Sequence, residues 1–426
     1  MHEPIDRRQF LNRTATGAAG VAMTLAARAA ENPEPERVVV GVMGLSRGRT
    51  LAINFAQQPG VEVRYVCDVD STRAAKGAEE VAKVATAAPQ PVGDFRQILD
   101  DPEVDALVCA APNHWHGPAT ILGCSAGKHV YVEKPCCHNP REGELMVEAA
   151  RKHNRVVQVG TQRRSSASIR AAIQALHDGE IGRVYSTRGT YTSLRGSIGT
   201  GKPVDVPEFL DYELWQGPAP RRPYMDNRVP YNWHWFWHWG NGELGNNGVH
   251  YLDICRWGLG VDYPIKVTSC GGRYCYDDDQ ETPDTHSVCF EFEDEKMATW
   301  QAHSCNQYGN EFVNFYGEGG TLVLGGEGEY TFYDKDNKEI RSDKGSRGDI
   351  EHIDNFLTAI REGNPALLNS GIEDHNPGTL LCHLGNIAQR TGRTLHCSPE
   401  NGHIVNDPEA MDLWAREYEP GWEPTV

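Results

Sequence analysis

The chain has 426 residues, a formal net charge of −18, and 39% hydrophobic and 9% aromatic residues. That length fits two domains with full cores. The acidic balance excludes a nucleic-acid-binding surface, which needs clustered Lys and Arg, and no run of about 20 apolar residues offers a stable membrane span.

Residues 1–30 differ from the rest. Arg7–Arg8, Phe10–Leu11, an Ala/Gly-rich segment and the ending "ARAA" resemble a twin-arginine export signal and imply a periplasmic destination. An Arg-rich amphipathic helix is the alternative. Residues 31–36 read as a linker. The twelve cysteines sit mostly in apolar segments, such as Cys67, Cys109, Cys124, Cys255, Cys289 and Cys382. They form neither a small disulfide scaffold nor a paired CxxC zinc site.

From residue 37 to 160 strands and helices alternate. "RVVVGVMG" is an apolar strand, "RTLAINFAQQPG" a helix, and "VEVRYVCDVD" a strand ending in acid. "VDALVCAAP", "HVYVEKP" and "RVVQVGTQ" are further strands, with helices in "GPATILGCSAGK" and "REGELMVEAARKHN" between them. Alternation with continuous apolar strands predicts a Rossmann-like, doubly wound parallel sheet, with ligands at the carboxyl ends of its strands. In "GVMGLSRGR", Gly44 allows a tight turn, Ser46 lets the backbone approach a pyrophosphate, and Gly48 permits close packing. The pattern is G-x-S-x-G, short of the full dinucleotide fingerprint. Asp68, 24 residues after Gly44, can accept from both ribose hydroxyls. It would repel a 2′-phosphate, so NAD is preferred; Arg73 nearby keeps NADP open. The alternative for Asp68 is a cap on the following helix.

From about residue 161 to 400 the chain reads as an α+β domain with a large open, mainly antiparallel sheet. Its strand-like segments include "RVYSTRGTYTS", "HSVCFEFED" and "NEFVNFYGEGGTLVLG", and helices are expected in "GDIEHIDNFLTAIREGNP" and "HNPGTLLCHLGNIAQRTGR". In "GNGELGNNGVHYLDICRWGLG" a helix from about Asn247 to Leu259 would put Asn246, His250, Asp253 and Trp257 on one stripe. Such a stripe suits a substrate cleft; a solvated face is the alternative. A metal site of His234, His238 and His250 lacks HExxH-like spacing, and no metal is expected. Trp115, Tyr191, Trp235 and Trp237 are candidates to stack on a sugar ring or to pack in the core. Residues 401–426 carry enough aromatics to pack on their own domain or on a second subunit.

"GVMGLSRG", "CDVD", "APNHWHGPA", "AGKHVYVEKP", "VVQVGTQRR" and "GNGELGNNGVHYLD" together resemble the Gfo/Idh/MocA family (glucose–fructose oxidoreductase, inositol dehydrogenase) over nearly all of residues 37–420. The resemblance implies an NAD(P)-dependent oxidoreductase acting on a carbohydrate or cyclitol, assembled as a dimer or tetramer. It implies Lys134 near the nicotinamide ribose and the substrate hydroxyl. Arg47, Pro112, Asn113, His116, Glu133 and Gln162 become cofactor contacts, and His250, Asn246, Asp253 and Tyr191 join Lys134 in the catalytic group. One departure matters: the family's D-x-G-x-H has Asn246 in its aspartate slot here, and an amide cannot hold a proton. Export adds a further expectation, a tightly bound cofactor. A reaction that returns its hydride, such as glycoside cleavage by transient oxidation and elimination, is the alternative to simple dehydrogenation. A sugar- or cofactor-binding protein without turnover is the third reading.

Overall fold

The computed structural model describes residues 35–309 and 311–426; the export-signal reading lies outside them. Six short apolar strands, β1 (Val38–Met43), β2 (Val61–Cys67), β3 (Gln90–Val92), β4 (Ala106–Cys109), β5 (His129–Val132) and β6 (Val157–Val159), form one parallel sheet. All six residues of β1 are buried, as a strand covered on both faces requires. The order β3-β2-β1-β4-β5-β6 reverses direction between β1 and β4. The carboxyl ends on either side of that point splay apart and leave a crevice.

One covering helix comes from far along the chain. Asp349–Arg361 returns to this sheet and buries Ile353, Phe356 and Leu357. The Phe356 ring meets Phe55 and Tyr131 edge-on, with centroids 6.2 and 5.8 Å away. A division at residue 160 therefore describes the sheets but not the packing.

The second sheet contains β7 (Val184–Leu194), β8 (Lys266–Gly272), β9 (Thr285–Phe292), β10 (Lys296–His303), β11 (Cys305–Asn306), β12 (Glu311–Gly317), β13 (Gly320–Leu324), β14 (Tyr330–Asp334), β15 (Glu339–Asp343) and β16 (Leu395–His396). Its order is β15-β14-β13-β12-β7-β10-β9-β8-β16, with β11 beside β7. Only β7 and β10 run parallel, so the sheet is mixed and mainly antiparallel. β9 alternates half-buried and buried residues along its whole length. Its inner face carries Val288 and Phe290 into the core shared with helices Ala167–His177, Val249–Leu259 and Ile372–Thr391. The last of these ends at Gly392 in the left-handed region, as its sequence predicts.

Two connections shape the site. Residues 195–240 build a small aromatic cluster of Leu210, Tyr212, Trp215, Trp233, Phe236 and Trp239. This strap clips onto the loop after β2, where Ser71 N donates to Phe209 O and Asp211 N to Val69 O, both at 2.9 Å. The carboxyl-terminal tail buries Trp414 in the second core but carries Trp422 back to the first half, where it meets Trp115 edge-on at 5.1 Å. Its anchorage is thus shared between the two halves.

Candidate active site

An open cleft of ≈ 610 Å³ follows the carboxyl ends of β1, β2, β4 and β5. At its floor Gly44 has φ +85°, and a Cβ there would lie 2.6 Å from Ala110 O. Gly48 lies behind the cleft, with Val42 and Ala110 side chains 3.1 and 3.2 Å from where its Cβ would be. Ser46 precedes the helix Arg47–Ala56 without capping it through its side chain. The amino-terminal N–H groups are therefore not taken by that cap and suit an anion. Asp68 accepts from Leu45 N at 2.8 Å through one oxygen and from Asp70 N at 2.9 Å through the other. Each oxygen keeps a lone pair for a ribose hydroxyl. Asp70, not Asp68, caps the next helix. This floor, turn and carboxylate fit a dinucleotide.

The other expected cofactor residues converge on the same space. Arg47, Pro112, Asn113, His116, Glu133 and Gln162 all line it. Glu133 accepts from Gln162 Nε2 at 3.1 Å and from Arg47 Nε at 3.4 Å. Arg47 also reaches Asp349 at 3.0 Å, joining the phosphate turn to the returning helix. His116 is buried between two carbonyls, Pro135 O at 2.6 Å and Ala111 O at 2.7 Å, and so braces the turn after Lys134. The Lys134–Pro135 peptide is cis.

Lys134, Asn246 and His250 all line the cleft. Leu244–Gly248 is a single π-helical turn leading into the helix Val249–Leu259, a device that often marks functional sites. It directs both Asn246 oxygens at Lys134 Nζ, the backbone oxygen at 2.9 Å and the side-chain oxygen at 3.3 Å. Burial pushes the Lys134 ammonium below its usual 10.5, opposed by the charges of Glu133 and Glu243. Burial also holds His250 well below its usual 6.5, and the positive charges of Arg163 and Lys134 add to that.

The rest of the stripe does not reach the cleft. Asp253 is 1% exposed and locked to Arg164 by two bonds of 2.7 and 2.8 Å, with His375 at 3.2 Å. Burial alone would raise its pKa; the partners hold it well below the usual carboxylate range. Trp257 lies under the same arginine, 4.7 Å from its guanidinium. The helix is enclosed by other elements one turn past His250, so helical spacing does not translate into a continuous cleft face. Tyr191 also stands outside the cleft lining, packed edge-on against Tyr251 and accepting from Arg195 at 3.3 Å. Of the other aromatics, Trp115 lines the cleft wall and donates to Trp215 O at 3.1 Å; Trp235 is buried under Arg195, and Trp237 lies in a different concavity. His234 is in the cleft but His238 is not, so the three-histidine set does not converge.

Several members were not read from the sequence. Arg163 follows Gln162 into the cleft with its guanidinium 4.5 Å from the Phe312 ring. Glu243 is 2% exposed, holds Arg195 at 2.6 Å, and accepts from Asn247 and from Asn246 Nδ2, the latter at 3.5 Å. Its place within "GNGELGN" was the available signal. Leu210, Trp215 and Tyr231 of the strap complete the wall, and nothing local foretold them.

Residues 36–161 match the family described as "Oxidoreductase family, NAD-binding Rossmann fold", and residues 196–423 match its "C-terminal alpha/beta domain", which alone spans more than half of the chain. The chain belongs to the Gfo/Idh/MocA oxidoreductase family. Its first domain is an NAD-binding Rossmann domain. Among members of the family, levoglucosan dehydrogenase of Pseudarthrobacter phenanthrenivorans is 29% identical over 168 residues, 39% of this chain and 36% of that one. A glycosyl hydrolase family 109 protein of Saccharopolyspora erythraea is 30% identical over 162 residues, 37% of this chain and 35% of that one. The chain thus spans about a third of the length of these two curated relatives. A levoglucosan dehydrogenase structure in complex with NADH and levoglucosan shares the fold, with a TM-score of 0.66 at 19% identity over 85% of this chain and 99% of that one.

Proposed function

We propose that this chain oxidises a secondary hydroxyl of a sugar, cyclitol or glycoside, with Lys134 as the base. The observation that carries the reading is the half-buried Lys134, whose amine lines the same cleft as His250 and has its pKa pushed down. Bound NAD supplies the two-electron acceptor. The neutral amine takes the hydroxyl proton as the C–H bond breaks, and the two Asn246 oxygens hold Nζ in place. Arg163 and His250 remain at the cleft surface to orient further hydroxyls. The relation to levoglucosan dehydrogenase supports an anhydrosugar-like or sugar substrate.

Export with the cofactor already loaded is part of this proposal. The Arg7–Arg8 leader supports it, and so does the strap, whose Leu210 and Trp215 wall the cleft shared with Asp68. Retention through dilution needs a Kd of about nanomolar. The half-exposed face of the second sheet, opposite its helices, is the proposed surface for a homo-oligomer.

A second reading is favoured by the uncharged Asn246 and the strongly depressed His250. Neutral His250 can abstract the C–H proton beside a transiently oxidised carbon. The leaving group then departs by elimination, water adds, and reduction of the carbonyl returns the electrons. The relation to a glycosyl hydrolase family 109 protein supports it. One experiment separates the readings: sugars and glycosides incubated with the NAD-loaded protein in deuterium oxide, followed by proton NMR and by absorbance of bound NADH. NADH formation without ring-hydrogen exchange supports dehydrogenation; exchange with glycoside cleavage and no net NADH supports elimination. No NADH and no exchange with any substrate would leave a binding protein.

A further inference from the structure

A second concavity, of ≈ 450 Å³, backs onto the nucleotide cleft through Asn241. Asn241 Oδ1 accepts from Asn113 of the cleft at 2.9 Å, while its backbone oxygen accepts from Asn386 at 2.9 Å in this second wall. Arg221, Arg222, Arg390 and Arg416 line this space, against one acid, Glu417. On a chain of net charge −18 such a concentration of cations is unexpected.

Two of the four have carboxylates: Arg221 is paired with Glu213, and Arg222 lies 3.9 Å from Glu281. Arg390 and Arg416 have none within 4 Å among the described residues. Arg416 donates to the backbone oxygen of Glu417 at 3.1 Å and lies 3.4 Å from His138 Nδ1. The buried acid beneath it, Glu142, is engaged by Tyr418 OH and His138 N, both at 2.8 Å. The Arg390 guanidinium makes no hydrogen bond to a described residue; the charge of Glu281 acts on it from a distance, and it lies over the Trp237 ring, 5.0 Å from the centroid. An aromatic face fixes the plane of a guanidinium while leaving its N–H edge free, the geometry that receives an oxyanion by two parallel bonds.

We propose that this concavity is an anion-binding site, in which Arg390 and Arg416 capture a small oxyanion: sulfate, phosphate or a sugar carboxylate. Trp237 offers the adjoining apolar face for whatever carries the anion. The site is separate from the NAD pyrophosphate turn and does not depend on the proposed reaction.

The test is calorimetric titration of the NAD-loaded protein with sodium sulfate, sodium phosphate or sodium glucuronate, at ionic strength held constant with NaCl. Saturable binding in at least one arm is expected, unaffected by added NAD, and the tightest arm identifies the source of the anion. Arg390→Gln should weaken it about tenfold or more, the scale of a lost charge-assisted bond, with NAD content unchanged. Arg416→Gln should do the same if it folds; Arg390→Gln, which removes no internal hydrogen bond, decides the matter alone. No saturable binding in any arm, competition by NAD, or equal affinity in Arg390→Gln overturns the proposal.

Discussion

Lys134 Nζ donates to both oxygens of Asn246, at 2.9 Å to the backbone and 3.3 Å to the side chain. Neither oxygen carries a formal charge, so the pair orients the amine without holding its proton as a carboxylate would. Replacing Asn246 with Asp adds a negative charge at that distance and stabilises the ammonium. Asn246→Asp should therefore shift the alkaline rise of turnover to higher pH and slow the reaction at pH 7. An unshifted profile would remove Lys134 as the titrating base.

Lys134→Met should lower turnover by at least ~100-fold, the scale of general acid–base catalysis, with NAD still bound. In the unaltered protein turnover should rise with pH through a pKa below 10.5, because burial favours the neutral amine. Stopped-flow absorbance of bound NADH against pH, in both proteins, checks the two expectations together.

Asp68 faces the cleft with each oxygen already taking one backbone N–H. Its charge should repel a 2′-phosphate. Calorimetry should show NAD bound more tightly than NADP, and Asp68→Ala should weaken NAD and narrow the gap. A wider gap in the variant would show that selectivity comes from another residue.

Glu243 ties Arg195, Asn246 and Asn247 together beneath the site. Glu243→Gln should cost about 1–3 kcal/mol of stability through the weakened buried bonds. Removing its charge should also lower the Lys134 pKa, moving the alkaline limb to lower pH. A merely structural role would reduce the melting temperature and leave that limb in place.

Acid should unfold the protein early. Burial lowers His129, His238, His286, His352 and His383 from 6.5 to about 4, and His234 to about 3. Between pH 6.5 and 4 the unfolded chain takes up these protons while the folded one does not. Stability is therefore whole above pH 6.5 and falls progressively below it. The urea midpoint should drop from pH 7 to pH 5; a constant midpoint would mean that these rings accept protons in place.

The sequence by itself determined the Rossmann half, because alternating apolar runs and helical spacings are local properties. Gly44, Ser46, Asp68, Glu133 and Lys134 sit at the ends of those runs, and the parallel sheet collects such ends along one edge. Asn246 and His250 were legible for the same reason, being one helical turn apart. Asp253 lay on the same stripe, and only the tertiary structure separated it, by placing Arg164 and His375 from other elements against it. The strap over the loop after β2, the return of Phe356 to the first sheet, and the placing of Arg390 and Arg416 on one concavity were likewise decided by the tertiary structure. Each joins residues far apart in the chain, and no local periodicity records which distant surface a side chain will meet.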